Sequence, residues 1–173
     1  VGVALRRREN DARRKPFPIV VTDATRELAR RVLPFKLTAG QKDALREIVA
    51  AMRQPQPMNR LLQGDVGSGK TIVALLAALV ALDNGLQAAL MAPTGILAEQ
   101  HARTIGAWLA ATPYGVRLLT AATPAAERRA IQAALRGGEP LLVVGTHALV
   151  EDPVAFSRLG LVVVDEQHRF GVA

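Results

Sequence analysis

The chain of 173 residues has no cysteine. That excludes disulfides, thiolate metal sites and cysteine nucleophiles, and it permits a reducing compartment such as the cytoplasm. Long apolar runs are also missing. The longest, Ile72 to Leu82, is too short to span a bilayer and suits a buried helix. Val1-Gly2-Val3-Ala4-Leu5 runs straight into Arg6-Arg7-Arg8, so no signal peptide is read here and no membrane partner is expected. Internal repeats and low-complexity tracts are absent. The three histidines, His101, His147 and His168, form no i, i+4 pair, which argues against a histidine metal site.

What is present is half hydrophobic, enough for one domain with a sizeable core. The +7 charge is uneven. Residues 1–36 hold ten Lys/Arg against four Asp/Glu, and the remainder holds twelve against eleven. The basic character therefore belongs to the start of the chain. It is either a surface for nucleic-acid phosphates or a solvated helix face.

One stretch organises the rest. Leu61-Leu62-Gln63 leads into Gly64-Asp65-Val66-Gly67-Ser68-Gly69-Lys70-Thr71, and an aliphatic run follows. Strand, G-x-x-x-x-G-K-T loop and helix, in that order, make a phosphate-binding P-loop. Gly64, Gly67 and Gly69 let the backbone curl so that successive N–H groups share one hollow. Ser68 lies in that loop. The helix starting near Lys70 points its positive dipole end at the same hollow. Lys70 can serve the β and γ phosphates, and the Thr71 hydroxyl can ligate Mg²⁺. The plainer alternative is a glycine-rich turn.

Around this centre, residues 1–15 read as a charged helix broken by Pro16 and Pro18. A short helix capped by Thr22 or Asp23 runs to Val32, and residues 1–33 form a connecting arm. Thr38-Ala39-Gly40-Gln41 is a capping box that opens a helix ending at Gln54-Pro55. Strand and helix then alternate: strand 60–63, helix 70–83, strand 87–92, a helix from Thr94 to about Ala111 and strand 116–119. A helix capped by Thr123, strand 141–145 and strand 161–165 follow. This pattern predicts an α/β domain over residues 34–173, with a doubly wound, mostly parallel sheet and its ligand at the strands' C-terminal ends. Leu161-Val162-Val163-Val164 is expected to be buried on both faces.

That last strand ends in Asp165-Glu166-Gln167-His168, 95 residues after Lys70. An acidic strand end is the partner a hydrolytic P-loop needs. Asp165 can hold the Mg²⁺ shell, and Glu166 can orient and deprotonate the attacking water. A merely polar strand terminus is the alternative.

Gly64–Thr71 with Asp165-Glu166-Gln167-His168 resembles motifs I and II of superfamily 2 helicases, which have a RecA-like motor. Longer strings resemble the RecG family of bacterial branched-DNA helicases. These are Pro34 to Gln41, Met58 to Ala74, Ala92-Pro93-Thr94 with Ile96 to His101, Val144 to Leu149, and Asp165 to Val172. The resemblance covers residues 34–173 in the family's motif order. Arg169-Phe170-Gly171-Val172 fits RecG and the transcription-repair coupling translocase, and Ser68 and Gln167 favour RecG. Gly95 departs from the acidic residue usual there, which bears on a DNA-side or packing contact.

The resemblance implies a Mg²⁺-ATP motor that moves along duplex DNA, remodels stalled forks and junctions, and acts as a cytoplasmic monomer. By the same resemblance Gln41 reads adenine, alongside its capping role. Pro93-Thr94 and Thr146-His147 touch the DNA backbone, where Thr hydroxyls and helix N–H groups suit phosphate; ordinary helix capping is the alternative. His168 couples the ATP site to the DNA track or is simply packed. Phe35 reads as core packing, with stacking on the base as the alternative, and Gln100 and His101 read as structural. The second RecA-like domain with its arginine finger, the later motifs and the fork-binding wedge do not appear. The chain therefore reads as a motor fragment, expected to bind nucleotide weakly and hydrolyse it negligibly. The other readings are a coupling-type translocase, a P-loop ATPase without a nucleic-acid partner, and a non-catalytic DNA-binding fragment.

Overall fold

The computed structural model describes residues 4–7, 14–33, 35–150 and 154–165. The chain forms two compact units, Val1–Asn84 and Gly85–Ala173. No helix among the described residues is long and apolar enough to cross a membrane.

The first unit contains β1 (Ala4–Arg7), α1 (Asp23–Val32), α2 (Ala39–Arg53), β2 (Arg60–Gln63) and α3 (Lys70–Asp83). The aliphatic run makes α3 buried almost all round, from Ile72 to Leu82 with Ala74 alone partly open. Burying each large side chain contributes about 1.5–3 kcal/mol. Both α1 and α2 open with reciprocal caps. Thr22 exchanges bonds with Thr25, and Thr38 with Gln41.

The segment expected to be helical up to Lys15 is a strand over Ala4–Arg7, and Arg14 and Lys15 take no regular structure. β1 pairs antiparallel with β2, Leu5 opposite Leu62. The open edge of β2 supplies backbone partners, and long-range pairing overrides the local preference of a short arginine-rich segment. Among the described residues, then, the strand before the P-loop takes an antiparallel neighbour.

Residues 14–33 are held to the helices by side chains. Lys15 Nζ donates to the carbonyls of Met52 (2.6 Å) and Ala51 (3.3 Å) at the end of α2. Burial lowers the Lys15 pKa from its ordinary value. The Thr25 hydroxyl donates to the Asp83 carboxylate. Asn84 accepts from the Val20 N–H (2.8 Å) and donates to the Val20 carbonyl (2.8 Å).

The second unit is a four-stranded parallel sheet in the order β4 (Gly115–Leu119), β5 (Leu141–Gly145), β3 (Gln87–Met91), β6 (Leu159–Val164). Parallel neighbours need crossovers, supplied by α4 (Gly95–Leu109) and α5 (Ala125–Gly137). The chain builds β4 and β5 on one side of β3 and then places β6 on the other. A core cluster joins Ile131 and Leu135 of α5 to Ala89, Leu119, Leu141 and Val143 of the sheet.

Gln87 anchors this unit and is fully buried. Its amide nitrogen donates to the Leu135 carbonyl (2.8 Å), and its oxygen accepts from the Arg158 N–H (3.1 Å). Beside it the β3–β6 register shifts between Gln87 and Ala88. Gly160 sits at the shift because a Cβ there would lie 2.6 Å from Leu86.

Two local expectations change. Pro124, not Thr123, is the N-cap residue of α5. The Thr123 hydroxyl turns back into the loop, accepting from the Thr120 N–H and donating to the Leu118 carbonyl. The last strand is not buried on both faces. Leu161 is buried, but Val162 and Val164 are 52% and 50% exposed, because β6 is the edge strand and one face is open.

Candidate phosphate loop and strand-end site

In the first unit, the loop between β2 and α3 curls through Gly67 and Gly69, whose φ angles are +80° and +79°. L side chains rarely adopt that backbone region. The Ser68 N–H closes a turn onto the Asp65 carbonyl at 3.0 Å. Gly69 is the N-cap of α3, so Lys70 and Thr71 are its first two residues.

Lys70 Nζ donates to the carbonyls of Gly64 (2.6 Å) and Asp65 (2.9 Å). Both acceptors are neutral carbonyl oxygens rather than carboxylates. The Ser68 hydroxyl oxygen is buried without a hydrogen-bond partner. A buried orphan polar atom costs on the order of 1–3 kcal/mol, and a phosphate or its water shell would supply the partner.

Gln41 is 4% exposed, and each end of its amide makes one hydrogen bond in this unit. Its oxygen accepts from the Thr38 N–H (2.9 Å), and its nitrogen donates to the Ser68 carbonyl (2.9 Å). The capping box is therefore present, and the same amide also ties α2 to the phosphate loop. The sequence pattern did not reveal that second tie. Gly69 leaves room for it, since a Cβ there would fall 2.2 Å from the Gln41 nitrogen. Phe35 is not core: it is half exposed in the open segment before α2. There it lines a groove of about 410 Å³ with Arg30, Leu33 and Lys42.

In the second unit, the strand pairing continues past three adjacent strand ends. The Ala92 N–H donates to the Gly145 carbonyl (2.8 Å), and the Asp165 N–H donates to the Met91 carbonyl (2.8 Å). Three loops that are distant in sequence thus lie side by side: Pro93-Thr94 after β3, Thr146-His147 after β5, and Asp165 after β6. Gly145 has no room for a side chain, because a Cβ would lie 2.1 Å from the Leu119 carbonyl oxygen.

Pro93, Thr94 and His147 are exposed and Thr146 is half-buried. Thr94 does cap α4, accepting from the Leu97 N–H at 3.3 Å. Thr146 precedes a single 3-10 turn (His147–Leu149) and makes no side-chain cap bond. Capping therefore accounts for Thr94 but not for Thr146. A Cβ at Gly95 would meet nothing within 4 Å, so no packing contact depends on glycine there.

Asp165 bonds through Oδ2 to His101 Nε2 at 2.8 Å, with side-chain exposures of 32% and 18%. His101, read from the sequence as structural, therefore stands beside a candidate site residue. Nothing local signals this, because the two lie 64 positions apart. Glu166, Gln167 and His168 lie outside the described residues.

No cluster of three His, Cys, Asp or Glu able to hold a metal occurs among the described residues. Mg²⁺ is usually held by one or two carboxylates together with substrate phosphates and water. Thr71 in the first unit carries a hydroxyl oxygen, and Asp165 in the second a carboxylate. A separate groove of about 540 Å³ beside α4 and β4, lined by Ala102, Gly106, Tyr114 and Arg117, contains none of the candidate residues.

A DEAD/DEAH box helicase family model matches residues 38–173. The chain belongs to the DEAD/DEAH box helicase family. Among curated members, the ATP-dependent DNA helicase RecG of Synechocystis is 55% identical over 141 residues, covering 82% of this chain and 17% of the relative. RecG of Bacillus subtilis is 52% identical over 140 residues, covering 81% and 20%. A solved structure of RecG bound to a three-way DNA junction matches with a TM-score of 0.81 and 47% identity, covering 91% of this chain and 22% of that one. This helicase-family chain thus spans about a fifth of the length of the curated relatives it matches.

Proposed function

We propose that this helicase-family chain carries the nucleotide-binding part of an ATP-dependent motor that remodels branched DNA. The observation that carries the reading is its similarity to a RecG chain solved with a three-way junction. The geometry of each unit supports it. One unit has a curled phosphate loop with an unpartnered buried hydroxyl, and the other has adjacent strand-end loops with hydroxyl and N–H donors.

In this reading Gly64, Gly67 and Gly69 surround the phosphates with backbone N–H groups, Ser68 offers its unpartnered hydroxyl, and Lys70 neutralises the β and γ oxygens. Thr71 and Asp165 would each offer an oxygen to Mg²⁺, which offsets phosphate charge when bound. Glu166 orients the attacking water and takes its proton. Gln41 recognises adenine with the amide that also braces the loop. Pro93, Thr94, Thr146 and His147 contact DNA phosphates, which gives binding without base reading. Duplex arms of a fork are the substrate class, and the working form is a monomer. A DNA motor of bacterial relatives acts in the cytoplasm.

The test is ATP hydrolysis by the full parent protein with no DNA, with linear duplex and with a model fork. The expected result is strong stimulation by the fork, lost in Lys70→Ala. Equal stimulation by linear duplex would replace the branched-DNA reading with a general translocase. No response to any DNA would overturn the partner altogether.

A further inference from the structure

His101 lies in the second turn of α4, seven residues after the Thr94 cap, and its ring reaches the carboxylate at the end of β6. A carboxylate only accepts hydrogen bonds, so Nε2 is the donor. The bond occupies Oδ2 and leaves Oδ1 for other ligands. Both side chains are largely shielded, which keeps solvent from competing for the bond. The backbone at Asp165 is fixed as well, by its N–H bond to the Met91 carbonyl. With the main chain pinned and one carboxylate oxygen held, the remaining freedom of the carboxylate is small. Metal-binding carboxylates are commonly oriented by such an outer partner.

We infer that His101 is a positioning residue for Asp165: it fixes the carboxylate that faces Mg²⁺ and ties it to the helix whose first turn faces DNA. The inference rests on the reading of Asp165 as a Mg²⁺-side residue, given above. It goes further by assigning a role to a residue outside the nucleotide and DNA sets named above. α4 is a continuous helix, so its Thr94 end and its His101 side chain move together. A shift of the helix on DNA contact is then transmitted to one oxygen of Asp165.

The experiment uses the full parent protein and Mn²⁺ in place of Mg²⁺, with a non-hydrolysable ATP analogue. Bound Mn²⁺ is counted by electron paramagnetic resonance for wild type, His101→Ala, His101→Gln and Asp165→Ala. Glutamine can place an amide N–H near the position of Nε2. The expected result is Mn²⁺ affinity about 10–100-fold weaker in His101→Ala and largely restored in His101→Gln. Fork affinity without nucleotide, read by fluorescence anisotropy, should stay as in wild type for both. Wild-type Mn²⁺ affinity in His101→Ala, no recovery in His101→Gln, or a parallel loss of fork affinity would each overturn the inference. If Asp165→Ala itself binds Mn²⁺ normally, the assignment of Asp165 fails first, and the two failures are thereby told apart.

Discussion

The phosphate loop and the strand-end cluster are built on opposite plans. In the loop the functional atoms are neighbours in sequence. Lys70 bonds back to Gly64 and Asp65, Ser68 closes on Asp65, and glycine conformations do the shaping. At the strand ends nothing is local. Ala92 meets Gly145, Asp165 meets Met91, and His101 meets Asp165 only because β5, β3 and β6 lie side by side. A site of the first kind survives as long as its own short segment and its one brace, from Gln41 of α2, are intact. A site of the second kind inherits every distortion of the sheet.

The largest test of this contrast is Lys70→Ala. Its loss should cost on the order of 100-fold or more in hydrolysis by the parent protein, since one charged donor is removed from the phosphate. The melting temperature should hardly move, because both acceptors of Lys70 are loop carbonyls next to solvent. A large stability loss would show that the loop is not the self-contained element described above.

Gln87→Ala probes the other plan. It should destabilise the chain by about 1–3 kcal/mol, read from denaturant unfolding, because it removes the buried acceptor of the Arg158 N–H, while the Leu135 carbonyl keeps its bonds from Gly138 and Ser157. An effect below about 1 kcal/mol would mean that water reaches those groups.

The two left-handed glycines divide the loop itself. Gly67→Ala meets open space and should cost only the backbone term, about 1–2 kcal/mol. Gly69→Ala should cost that plus the Gln41 bonds, at about 1 kcal/mol each. Equal losses, compared by thermal unfolding, would show that the Gln41 contact contributes nothing.

Gly95→Asp is the smallest effect and the only gain. A carboxylate in the first turn of α4 with no steric conflict should stabilise by about 0.5–1 kcal/mol, through helix propensity and the dipole. This substitution should leave fork affinity within a few-fold. A marked change there would locate a DNA contact at this position.

The same contrast explains what could be read from the sequence. The limits of α3, a cap at Thr22 or Asp23, the capping box at Thr38 and the phosphate loop depend on residues a few positions apart, and each was legible, though the reciprocal bond from Thr25 was not. The order of strands and helices in the second unit was legible too, since hydrophobic period and turn residues are local signals. The strand at Ala4–Arg7 was not, because it exists through pairing with a segment 56 residues away. Gln87 looked like an ordinary strand residue, and its buried amide acquires meaning only when α5 and β6 converge on it. Val162 and Val164 carry the composition of an interior strand, while their burial is set by their place at the sheet edge. His101 and Asp165 are joined by topology alone.

The clasp between Asn84 and Val20 has one more consequence. The Asn84 side chain presents an acceptor and a donor to a single residue, as a neighbouring strand would. Val20 is 56% exposed, so by accessibility alone its amide hydrogen should exchange with solvent almost at once. Held by Asn84, it should exchange only when the segment lifts away from the end of α3. Its deuterium uptake then becomes a direct gauge of how often residues 14–33 detach.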